Sequence, residues 1–205
     1  MIVCRHRVNT IELLETINSS LGIEFDVREG PKGSILVTHD PWTSGPELAT
    51  FLSKCHHAFY IVNIKCEGIE FEVLRLLKDA HIENFFLLDS SFPMIHKLSL
   101  KGETRLALRF SEYEEFRRMQ GRAQWVWIDV FSRIPLGPKD CDELHALGYK
   151  LCLVSPELQQ QPEKIEHYSQ ALDGYLDMVC TKFPEKWSSD TSQKASVELQ
   201  QLPSL

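Results

Sequence analysis

An alternation constrains this chain more than any other feature. Eight short apolar runs of strand length occupy residues 2–4, 22–27, 59–65, 84–89, 104–110, 124–131, 149–154 and 176–181. Each is followed by helical spacing or a helical turn, over residues 9–20, 46–55, 69–80, 94–98, a segment opened by Ser111, 139–147, 163–172 and 184–187. Ser111 is a good cap there, with Glu112, Glu114 and Glu115 in the first turn, where the helix dipole favours anions. Strand–helix alternation predicts parallel pairing through right-handed crossovers. Eight units predict an α/β protein closed as a compact (β/α)8 TIM barrel. The alternative, an open doubly wound sheet, normally needs fewer strands, and its glycine-rich phosphate loop is absent. One domain is expected over residues 1–187, with the polar residues 188–205 as a mobile tail.

Composition removes several classes of function. The net charge of -7 argues against general nucleic-acid binding, which asks for a basic face. No apolar run approaches the roughly 20 residues that cross a bilayer, so no transmembrane segment is expected. Arg5, His6 and Arg7 interrupt the apolar start, which predicts no signal peptide. The six cysteines form no C-x-x-C pair, and several lie inside strand-like runs, where Cys packs as a small apolar residue. A reduced, cytoplasmic protein is expected.

The stretch from Gly22 to Asp40 concentrates the chemistry. Glu24 and Asp26 stand two apart on a strand, so both carboxylates project from one face. A turn containing Pro31 and Gly33 follows, residues 34–38 return as a hairpin, and His39 and Asp40 come next. In a barrel of this kind the active site lies at the C-terminal ends of the strands. Polar residues fall there: Arg5, His6 and Arg7; Asn63, Lys65 and Glu67, all of one parity; Asp89; Arg109; Asp129; Ser155 and Glu157; Thr181 and Lys182. The mixture suits a hard cation, an anionic substrate and proton transfer, and oxygen ligands point to Mg²⁺ or Ca²⁺.

In order and spacing, His6-Arg7, Asn9-Thr10, Glu24-x-Asp26 and His39-Asp40 resemble the motifs of the glycerophosphodiester phosphodiesterases, within the barrel group that includes phosphatidylinositol-specific phospholipases C. The motifs cover residues 1 to about 67, and the eight-unit pattern extends the likeness to about residue 187. The resemblance implies a divalent-metal-dependent phosphoric diester hydrolase acting on a small or head-group phosphodiester. His6 and His39 would be the general acid/base pair, and Glu24 and Asp26 would ligate the cation. Arg7, Asn9 and Lys65 would bind phosphate or substrate. The same two histidines serve hydrolysis by water or closure to a cyclic phosphate.

The sequence departs from the family in three places. Val8 stands before Asn9 where a Glu is usual, and the loop is short. The family's Asn-Ile-Glu-x-Lys on strand three reads here as Asn63-Ile64-Lys65-Cys66-Glu67, with the two charges exchanged. The third metal ligand is then Glu67, with Asn63 or water as alternatives. No insertion is long enough for a substrate-capping subdomain. These changes support an alternative reading: a barrel that binds a phosphorylated ligand without turnover. Trp42, Phe92, Phe183 and Trp187 fall near the expected mouth, as pocket walls or as rim packing, whereas Trp125 and Trp127 read as core.

Overall fold

The computed structural model describes residues 1–114 and 119–187. Glu115 and the expected tail at 188–205 lie outside the described residues.

Eight parallel strands form the barrel: β1 (Ile2–Arg5), β2 (Gly22–Glu29), β4 (Tyr60–Ile64), β5 (Phe85–Leu88), β6 (Ala107–Phe110), β7 (Trp125–Ile128), β8 (Lys150–Val154) and β9 (Met178–Thr181). They run in the order β5-β4-β2-β1-β9-β8-β7-β6, and the short β3 (Ile35–Val37) folds back antiparallel on β2. Between the ends of this order, the described residues make a single bridge, Leu87 to Leu106. The circle is therefore nearly closed, with its seam between β5 and β6. Gly22 allows the closest approach within it: Gly22 pairs with Cys4, and a Cβ at residue 22 would lie 2.3 Å from the Cys4 Sγ.

The helices are α1 (Ile11–Leu14), α2 (Leu48–Leu52), α3 (Glu70–Asp79), α4 (Phe92–Ser99), α5 (Pro138–Ala146) and α6 (Ile165–Ala171). Two expected helices differ. The one expected over residues 9–20 is a single turn. Thr10 caps it through the Leu13 N–H, but the Thr16 hydroxyl donates to the Leu13 carbonyl and Asn18 Oδ1 accepts from the Ser20 N–H. Such side-chain bonds offer the backbone an alternative to the helix ladder. After β6, Ser111 and Glu114 face each other in an antiparallel bridge, and the described residues there hold no helix.

Alternation along the strands sorts the core into two layers. Phe86 and Leu88 face the barrel interior with Cys4, Phe59, Ile61, Ala107, Trp125, Trp127, Cys152, Val154, Met178 and Cys180. Phe85 and Leu87 face outward, among the apolar faces of the helices. The interior is a stack of rings: Phe59 lies 5.3 Å and Phe86 lies 4.9 Å from Trp125, centroid to centroid. Each fully buried large side chain contributes about 1.5–3 kcal/mol. Trp125 and Trp127 are core, as expected. This packed floor leaves the barrel open for chemistry only at its strand ends.

Candidate active site

The inward parity continues upward from the floor. Above Cys4 comes His6, above Gly22 come Glu24 and Asp26, above Ile61 come Asn63 and Lys65, above Ala107 comes Arg109, and above Trp127 comes Asp129. The chain is pinned as it leaves β1: the His6 N–H donates to the Thr181 carbonyl at 2.9 Å, and the Val8 N–H to the Glu24 carbonyl at 2.7 Å. Between them Arg7 takes a left-handed backbone, φ 55°, which aims its own N–H at Glu24 Oε2, 2.7 Å away. Bulky side chains seldom adopt that conformation, and it recurs at functional turns.

Glu24 and Asp26 are both 1% exposed. Asn63 Nδ2 donates to Glu24 Oε1 at 3.0 Å, and His6 Nε2 lies 3.7 Å from Glu24 Oε2. Asn9 clasps Asp26 twice: its Nδ2 donates to Oδ2 at 2.7 Å, and its Oδ1 accepts the Asp26 N–H at 2.9 Å. Two cations flank the same carboxylate, Arg7 Nε at 3.8 Å and Lys65 Nζ at 3.5 Å. Burial and the nearby Asp26 charge push Glu24 up to about 7. Burial, then the cations Arg7, Lys182, Arg5 and Lys65, push His6 down to about 3, so its ring is neutral near pH 7. The buried His6 Nδ1 and Asn63 Oδ1 have no hydrogen-bond partner among the described residues.

His39 reaches this neighbourhood by the expected return. The Thr38 N–H donates to the Asp26 carbonyl at 3.0 Å, which ties the backbone just before His39 to β2 at Asp26. The His39 ring Nδ1 meets Asp40 Oδ1 at 2.7 Å, and no hydrogen bond or ion pair joins the ring to His6, Glu24 or Asp26 among the described residues. The hydrogen bond from His39 holds the Asp40 carboxyl below its ordinary range. With Nδ1 donating to an ionised Asp40, Nε2 is the ring's free position. The two histidines thus have separate carboxylates, and Asp40 gains a role that its adjacency in the sequence could have signalled.

A divalent cation fits this donor set poorly. Mg²⁺ and Ca²⁺ take six or more oxygens, from carboxylates with free lone pairs, carbonyls and waters. Here Glu24 accepts from Arg7 N–H and Asn63, while Asp26 accepts from Asn9 and faces Lys65. Glu67, the expected third ligand, is not brought to the pair: β4 ends at Ile64, and the Glu67 carboxylate accepts from the Ser91 hydroxyl at 2.7 Å, at the N-cap of α4. Among the described residues, no three His, Cys, Asp or Glu side chains are grouped to hold a metal ion. Asn63, the alternative to Glu67, does adjoin Glu24.

From Asp26 the charges alternate around the mouth. Lys65 Nζ is 3.3 Å from Asp89 Oδ2, Arg109 bridges Asp89 Oδ1 at 2.8 Å and Asp129 Oδ2 at 2.5 Å, and Trp127 Nε1 donates to Asp129 Oδ1 at 3.2 Å. Strand order joins these residues; the sequence presented them one by one. On the other side, Glu157 accepts from the Thr181 hydroxyl at 2.6 Å, from the Lys182 N–H at 2.8 Å and from the Ser155 hydroxyl. Trp187 is buried and donates to Ser155 Oγ at 2.8 Å, so it belongs to this packing. Trp42 is fully exposed, and Phe92 and Phe183 are exposed in part. A cavity of about 680 Å³ opens beside the β5–β6 seam, lined by Asp89, Ser90, Phe92, Arg109 and Tyr113 among others.

No protein-family model matches the chain, and no curated protein matches it. Solved structures do. A glycerophosphodiester phosphodiesterase from Agrobacterium tumefaciens str.C58 is similar with a TM-score of 0.63 and 14% identity, over 91% of this chain and 99% of that one. A glycerophosphodiester phosphodiesterase from Parabacteroides distasonis ATCC 8503 is similar with a TM-score of 0.50 and 13% identity, over 98% of each chain. The chain therefore has the barrel fold of these proteins.

Proposed function

We propose that this barrel is a phosphodiesterase that cleaves a small or head-group phosphodiester at its C-terminal mouth. One observation carries the reading: a neutral, half-buried His6 stands over a carboxylate pair on which the cations Arg7 and Lys65 converge. Arg7 and Lys65 receive the two non-bridging phosphoryl oxygens and offset the charge that builds on them. His6 takes the proton of the attacking hydroxyl, and the Glu24 carboxylate beside it stabilises the imidazolium that forms. His39, oriented by Asp40, gives a proton from its protonated form to the leaving alkoxide. Asn9 and Asn63 hold the two carboxylates in register. The leaving group enters the cavity beside the seam, against Phe92 and Tyr113. Every step uses side chains of this chain, and Glu24 and Asp26 act by orienting His6 and the cations. Six unpaired cysteines suit a reducing compartment, the cytoplasm. No helix among the described residues is long and apolar enough to cross a membrane.

A panel of glycerophosphodiesters and bis(p-nitrophenyl) phosphate, followed by phosphorus NMR, tests the proposal. Conversion to a monoester, lost in both His6→Asn and His39→Asn, is expected; a persistent cyclic phosphate would identify a substrate hydroxyl as the nucleophile. The poor fit for a divalent cation favours a second reading, a phosphate-binding barrel without turnover. Saturable binding of a phosphodiester with no product would select that reading.

A further inference from the structure

Lys65 occupies an unusual position for a lysine. It follows β4, and its N–H is fixed to the Val27 carbonyl at 2.9 Å. Its side chain is 18% exposed, and its ammonium sits between two carboxylates on different strands, 3.5 Å from Asp26 and 3.3 Å from Asp89. A solvated lysine has no need of such a seat. The seat lies where a cation would have to lie to bridge the carboxylate pair and the next strand end. The acidic charge two residues on, Glu67, has been moved out to Ser91. The mouth then reads as strict alternation: Arg7, Asp26, Lys65, Asp89, Arg109, Asp129. A divalent ion entering beside Asp26 would meet an ammonium already there and carboxylate oxygens already accepting hydrogen bonds.

We propose that the Lys65 ammonium is the resident cation of this site, so that a phosphoryl anion is bound and its growing charge offset without a divalent metal. The inference rests on the phosphodiester reading above for the identity of the anion, and on the placement of Lys65 and the engaged carboxylate oxygens for the exclusion of the metal. An ammonium provides three donors and a fixed charge, needs no dehydration of a metal ion, and cannot be lost to a chelator.

The test compares Mn²⁺ binding by the full chain, by electron paramagnetic resonance and calorimetry, in wild type, Lys65→Glu and Lys65→Gln. Removing the like charge should tighten Mn²⁺ binding about tenfold or more in both variants, most in Lys65→Glu, which adds an oxygen ligand. Lys65→Gln keeps the comparison alive if Lys65→Glu fails to fold. Wild type that binds Mn²⁺ as tightly as the variants would overturn the proposal. In parallel, wild-type turnover of a phosphodiester should be unchanged by EDTA, and inorganic phosphate should bind about tenfold more weakly to Lys65→Gln. Turnover abolished by EDTA would overturn the proposal too. Absence of any turnover would instead count against the phosphodiesterase reading, leaving the Mn²⁺ comparison to decide the role of Lys65.

Discussion

Two buried carboxylate clusters sit at the mouth of this barrel, and they are built on opposite plans. Glu157, between β8 and β9, receives a threonine hydroxyl, a serine hydroxyl and a backbone N–H, and among the described residues it pairs with no cationic side chain. Its donors are neutral and come from the chain it joins. Across the barrel, Glu24 and Asp26 lie two residues apart and repel one another, and they are held by two asparagines and flanked by Arg7, Lys65 and His6. Polar atoms beside them, His6 Nδ1 and Asn63 Oδ1, lack hydrogen-bond partners among the described residues. A fully satisfied carboxylate closes a fold. A mutually repelling pair ringed by cationic side chains is arranged for something that arrives.

Substitutions in the two clusters should have opposite effects. His6→Asn should lower kcat by about 10²–10⁴-fold, as the loss of a general base does, while the melting temperature stays close to wild type. A similar loss of folding would merge the two clusters into one structural class. Glu157→Ala should do the reverse. It leaves the Thr181 and Ser155 hydroxyls and the Lys182 N–H without their acceptor, costing about 3 kcal/mol in denaturant unfolding, with kcat of the folded fraction nearly unchanged.

Glu24 is raised in the fold, so its contribution to stability is complete below the ordinary glutamate range and is lost as pH rises through about 7. Glu24→Gln has no such loss. The stability of the variant relative to wild type should therefore improve between pH 4.5 and pH 8, by on the order of 1 kcal/mol or more. A difference that is flat with pH would show that Glu24 is ionised as easily as a surface carboxylate. The smallest effect belongs to neither cluster. Arg75, on the exposed face of α3, pairs with Glu72 and Asp79, and Arg75→Ala should leave both melting temperature and rate unchanged.

Much of the fold was legible because the strands are buried on both faces and read as apolar runs. Parity then carried the reading from floor to mouth: the rule that made Trp125 and Trp127 core placed Asp129 above them. The exchanged charges at Lys65 and Glu67 were visible too. Where Glu67 goes was not, since its partner Ser91 arrives with a different strand and helix. The chain Asp89–Arg109–Asp129 needed the neighbour order of three strands. The one-turn α1 was missed because helical spacing of Ile11, Leu13, Leu14 and Ile17 hid competing bonds from Thr16 and Asn18.

The most direct test of the central claim is phosphorus NMR of glycerophosphodiesters incubated with the full chain in EDTA, beside His6→Asn. Wild type should convert the diester with the chelator present, and the variant almost none. Equal conversion by both, or conversion by wild type only after a divalent metal is restored, would contradict that claim.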